Sequence, residues 1–225
     1  MFDKYKLFGI FTTLFAFFFI FIIGRGAPHY VFYIAFPYTV ILFFHKKFEA
    51  LVQKVQKPLL WYGVFVFLGG MLVEFFAYKT SAFLVALGQN PVVFCPESLA
   101  CDLFLFGVPH YALIAYGFVW TVRRYDFSVR QLGLAIFLFW AIVVDQFSHL
   151  VGLFVGGIPG IIGFTQAGLL MLFAFHGPYI IFEKRIREIL PERSNSKKKY
   201  IPIVLFQAAA ILLMLFIAIA RQVTK

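Results

Sequence analysis

Five ionisable side chains fall inside runs of sequence otherwise fit for lipid: Glu74, His110, Asp145, His149 and His176. An ionisable group in a membrane interior is costly and usually faces the bundle interior, so each is a candidate for chemistry. Asp145 and His149, in AIVVDQFSHL, are four residues apart and share one helix face. A carboxylate beside an imidazole holds the ring's tautomer and orientation. Glu74 supplies a second carboxyl. A carboxyl kept protonated by low dielectric, opposite an ionised one, is a pair suited to general acid/base work. The bland alternative is that these groups only pair across helices and fix the packing.

Counting about 1.5 Å of rise per residue from the span ends given below puts Glu74, His110, Asp145, His149 and Gln166 roughly 6–17 Å beneath the outer surface, in one slab. His176, in FHGPY, is nearer the inner face, where its ring can simply reach the interface. Gln207 is a further uncharged companion. His29 and His45 lie at span ends and are given no role.

Holding these groups requires membrane helices. The chain is 62% hydrophobic and 13% charged, against about half and about a quarter in a soluble domain. Seven apolar runs approach the roughly 20 residues that cross a bilayer. They cover 7–23, 30–44, 59–78, 103–122, 131–155, 158–182 and 201–220. The second is the shortest and carries Pro37. The expected fold is therefore all-α: a polytopic membrane helix bundle of about seven transmembrane helices, forming a single domain over 1–225. The first run has no small-residue cleavage site after it and reads as a retained helix.

Lys and Arg orient such a bundle by gathering on the cytoplasmic side. With the N-terminus cytoplasmic and the C-terminus outside, 16 of the 20 cations fall on inner segments, and only Arg25, Lys79, Arg221 and Lys225 lie outside. The alternation holds at every turn, so a multi-pass protein of the cell membrane is expected. The net charge of +10 then follows from topology. The inner basic loop 183–199 suits anionic lipid head groups, and nothing calls for nucleic acid. The inner segment 45–57 carries Phe48, Leu51, Val52 and Val55 at helical spacing between lysines, as a surface amphipathic helix would.

The one substantial outer loop, 79–102, holds Cys95 and Cys101. Outside the cell a loop-stapling disulfide suits this spacing. A redox pair would favour C-x-x-C, and a metal site would need a second Cys/His pair. The apolar SAFLVAL within this loop is too short to span and reads as a lid or a dip into the outer leaflet.

At GGMLVEFFAYKTSAF, residues 69–83, the chain resembles the membrane carotenoid hydratases of archaea and bacteria. In that family a Glu within a helix leads through Thr-Gly to a Gly-x-Pro entering the next helix, then to a Trp and an intramembrane Asp. Here Glu74 and Thr80 are followed by FGVPHYALIAYGFVW (106–120) and FWAIVVD (139–145). The likeness spans 69–146. Ser81 stands in place of the family's Gly, the cysteine loop replaces a Gly/Tyr-rich stretch, and the Trp-to-Asp spacing differs. Small membrane terpene cyclases share the device of one Glu and one Asp in a bundle. The resemblance implies a lyase or isomerase, a hydratase or cyclase, that protonates an isoprenoid double bond. Glu74 or Asp145 would be the acid, and His149 and His110 would orient water or the partner. Ring faces of nearby Tyr and Trp would steady the cation.

Three other classes compete. A transporter is suggested by Pro109 and the GGIPG turn (156–160), although no internal repeat is found. A haem or quinone subunit could use His110 and His149. A non-catalytic accessory protein would tolerate loss of both carboxyls. No cofactor or metal is expected: G-x-S-x-G, H-E-x-x-H and an Asp-rich magnesium box are missing, and the last span has no lysine for a retinal Schiff base.

Overall fold

The computed structural model describes residues 4–18, 29–86, 95, 97–143, 168 and 171–223. Among the described residues there are seven α-helices and no strand: α1 Lys4–Phe18, α2 His29–Val52, α3 Pro58–Ala86, α4 Val108–Arg124, α5 Val129–Val143, α6 Gly177–Ile189 and α7 Tyr200–Val223. Each overlaps one of the seven apolar runs. Among the described residues three stretches are long and apolar enough to cross a membrane: Pro58–Lys79, Cys101–Arg124 and Lys197–Val223.

Several boundaries differ from the sequence expectation. Pro37 lies inside α2, which continues past a kink at Phe44 to Val52, so the front of the amphipathic segment is the end of this helix. α3 runs on to Ala86 and takes up most of SAFLVAL as helix. α6 extends to Ile189, so the first turns of the basic segment are helical too. An apolar side chain imposes no stop on a helix, and no Gly or Pro interrupts these extensions.

Helix starts follow local chemistry. Pro58 opens α3, where its missing N–H costs nothing. Ser128 and Gln131 cap α5 reciprocally: the Gln131 amide donates to Ser128 Oγ at 3.2 Å, and the Ser128 amide donates to Gln131 Oε1 at 3.1 Å. A different device opens α4 and α6. Pro109 and Pro178 cannot donate to the carbonyl four residues back. Before each, the chain widens into a π turn, Cys101–Gly107 and Leu172–His176. The Val108 amide reaches the Leu103 carbonyl, and Gly177 reaches Leu172, each five residues back.

The segment Met171–Phe182 is buried throughout and forms the axis of the bundle. α2, α3 and α5 pack around it, α1 lies on α2, and α7 lies on α4. Small residues permit the close approaches that membrane packing favours. A Cβ at Gly69 would stand 2.7 Å from the Ala174 carbonyl oxygen, so only glycine fits there.

At one end of the bundle two connections are tied together. Asp126 N–H donates to the Ser194 carbonyl and Ser194 N–H to the Arg124 carbonyl. Arg193, its side chain 3% exposed, meets Asp126 Oδ1 at 2.8 Å and donates to the Val122 carbonyl. The Lys199 ammonium donates to the Asp126 carbonyl, Gln131 Oε1 and Asn195 Oδ1. These two cations of the basic segment thus hold the fold together. At the opposite end Arg221 of α7 pairs with Glu97.

Removing Arg193 takes one of two cations from Asp126 and leaves the Val122 carbonyl without its side-chain donor, at a cost of about 1–3 kcal/mol. Arg193→Ala should therefore lower the unfolding midpoint in detergent steeply. Arg185→Ala, which loses only the solvent-facing Glu188 pair, should cost less than about 1 kcal/mol. Equal shifts in a thermal scan would contradict this assignment.

Candidate functional site

Two polar centres lie inside the bundle, each beside a π turn. The first is built on Glu74 of α3. Its side chain is buried, and the Tyr111 hydroxyl of α4 donates to Oε2 at 3.2 Å. Glycines make this meeting possible. A Cβ at Gly107 would lie 3.3 Å from Glu74 Cγ, and one at Gly70 would overlap the Tyr111 ring. Tyr111 also lies against Phe175, centroids 6.3 Å apart, and Phe175 stacks on Phe118 at 5.5 Å. Asp102, fully buried in the π turn, borders the same Gly107 through its backbone oxygen.

Asp102 also organises the cysteine loop: its Oδ1 accepts the Cys95 N–H at 3.2 Å. Cys95 and Cys101 are joined as a disulfide with Cα atoms 6.0 Å apart, and Ser98 caps the turn between them. The loop is thereby fastened directly above the helix that carries Tyr111.

His110 is buried on α4, one residue before Tyr111. Consecutive helix positions diverge by about 100°. Tyr111 accordingly turns to α3, while the His110 ring lies toward the Ala210 backbone of α7. The two rings still meet edge to face at 4.8 Å. Glu74 and His110 therefore belong to one neighbourhood but are held by different helices. Asp145, His149 and Gln166 lie outside the described residues. Gln207 is buried on α7.

The second centre is His176, at the end of the other π turn. It does not reach an interface; it is buried. Nδ1 lies 2.8 Å from the Tyr38 hydroxyl, and Nε2 lies 2.8 Å from the Val129 carbonyl. A carbonyl only accepts, so Nε2 carries the proton and Nδ1 accepts from Tyr38. A Cβ at Gly133 would stand 2.9 Å from this ring. α2, α5 and the π turn meet through these contacts. Tyr38, Tyr111 and Asp102 were not singled out from the sequence. Aromatic and loop residues are abundant here, and only the long-range pairing distinguishes these three.

Among the described residues no group of three His, Cys, Asp or Glu side chains gathers as metal ligands would. No family model, curated protein or solved structure matches the chain.

The geometry of the first centre rests on shape more than on its hydrogen bond. A side-chain hydrogen bond within a membrane bundle is worth about 0.6 kcal/mol on average. Overpacking a core position costs about 1–3 kcal/mol. Gly70→Ala should therefore destabilise the folded protein more than Tyr111→Phe, measured by thermal unfolding in one detergent. The reverse order would show that the Tyr111–Glu74 contact, not the glycine, sets the site.

Proposed function

We propose that the chain is a seven-pass protein of the cell membrane, N-terminus cytoplasmic and C-terminus outside. In this reading it is an enzyme that acts on an isoprenoid or other long apolar lipid. The observation that carries the reading is the Glu74 carboxyl, buried on an apolar helix and addressed by the Tyr111 hydroxyl. A carboxyl in such surroundings suits proton delivery to a double bond, as lipid chemistry without a cofactor requires. Hydration or cyclisation follows from the same step. The acid protonates one alkene carbon, and water or a second alkene attacks the cation. A proton is then lost and the acid restored.

Supporting placement comes from the second half of the pattern. Tyr111 lies against Glu74, the His110 ring meets Tyr111 edge to face, and aromatic faces stabilise cations. Asp145 and His149 belong to the proposal as the partner carboxylate and its imidazole. The ties at the two ends agree with the topology: Arg124–Ser194 contacts sit at one end, and Arg221–Glu97 at the other.

One observation favours a transporter as the second reading. Two π turns interrupt the helical register ahead of Pro109 and Pro178, and discontinuous helices mark many transport sites.

The test is a lipid and pigment profile by mass spectrometry, in a host that makes linear isoprenoids and carotenoids, with and without the chain. A product heavier by one water, or an isomer of equal mass and new retention, is expected. Glu74→Gln and Asp145→Asn should each abolish that product while the protein stays inserted and folded. Retention of product by both variants would end the carboxylate mechanism.

A further inference from the structure

A half-open groove of about 560 Å³ runs beside His176, away from Glu74. That volume falls within the about 300–1,000 Å³ usual for ligand sites. Its walls include Tyr5 and Phe8 of α1 and Arg130, Leu134 and Phe137 of α5, with His176 in its floor. The His176 ring nitrogens are already engaged by Tyr38 and Val129, so the floor offers a ring surface and no open donor.

The groove is polarised along its length. α5 rises about 10 Å from Arg130 to Phe137. In the proposed topology α1 and α5 run the same way, so Tyr5 and Arg130 share the inner end and the aromatic and aliphatic walls lie deeper. Arg130 is exposed, and among the described residues it makes no hydrogen bond or ion pair. Arg193 and Lys199, by contrast, are held in the tie between the two connections. Among the described residues that line the groove, none is acidic.

We propose that this groove is a binding site for an anionic glycerophospholipid of the inner leaflet, one acyl chain in the groove and the phosphate against Arg130. Moving a chain from bilayer to groove gains no hydrophobic energy, because lipid tails are as apolar as the walls. Selection must then come from charge at the rim, where each Lys or Arg near a membrane surface contributes about 1 kcal/mol, a factor of about five. The leaflet rests on the topology proposed above; the head-group chemistry does not.

The experiment is native mass spectrometry of the full chain in detergent, titrated with phosphatidylglycerol or phosphatidylcholine. One phosphatidylglycerol should be retained in preference to phosphatidylcholine. Arg130→Gln should weaken its retention about fivefold, Arg130→Lys should keep it, and Lys184→Gln, exposed on α6, should leave it unchanged. Equal retention of both lipids, or equal effects of Arg130→Gln and Lys184→Gln, would overturn the site. As a second readout, brominated phosphatidylglycerol should quench a tryptophan at Leu134→Trp at lower lipid fraction than one at Leu212→Trp on α7. Equal quenching at both positions would mean ordinary annular lipid. The Glu74→Gln variant should bind as the parent does, so failure of the enzymatic reading leaves this result separate.

Discussion

Pro109 and Pro178 carry no amide proton, and a buried backbone carbonyl left unpaired costs about 1–3 kcal/mol. The chain answers each with a turn of π-helix. A π turn adds a residue to the turn, so the side chains beyond it are rotated relative to a continuous α-helix. Tyr111 follows one such turn, and His176 closes the other. Both buried polar centres therefore depend on where two prolines fall. The glycines beside them, Gly107 and Gly177, precede those prolines and keep the widened turns close to α3 and α2.

The two ends of the bundle are held by different chemistry. One end uses a network: Asp126 is addressed by Arg193 and by Arg187, while its carbonyl takes the Lys199 ammonium. Because Lys199 also reaches Gln131, the capping residue of α5, the start of α5 is locked to the start of α7. The other end uses a covalent loop, Cys95–Cys101, and the pair of Arg221 with Glu97. α4 and α7 are thus joined at both ends and packed between them. His110 lies toward the Ala210 backbone across that contact. Between the ends, packing decides. Membrane hydrogen bonds are individually weak, so Glu74–Tyr111 and Tyr38–His176 are placed by glycines and aromatic stacking more than they place anything themselves.

The helical class, the seven apolar runs, the charge asymmetry and the cysteine spacing could all be read from the chain, because each is a local property. Periodicity and composition follow from what a bilayer tolerates, and they do not depend on neighbours. Glu74 and His110 were legible as polar residues in apolar surroundings for the same reason. The end of α3 was not: SAFLVAL carries no stop signal, so its helical continuation depends on what it packs against. Lys199 shows the same limit. In sequence it is one lysine of three in a row, and only the fold buries it against Asp126 and Gln131 while Lys197 and Lys198 stay exposed.

By itself, then, the sequence determined that this is an apolar, all-helical, positively charged chain with ionisable groups inside its helices. Tertiary structure alone decided which of them meet. Tyr111 reaches Glu74 across 37 positions, and Tyr38 reaches His176 across 138. No local rule couples residues so far apart. Their contact depends on helix order, on the rotation introduced by each π turn, and on the glycines that let the backbones approach.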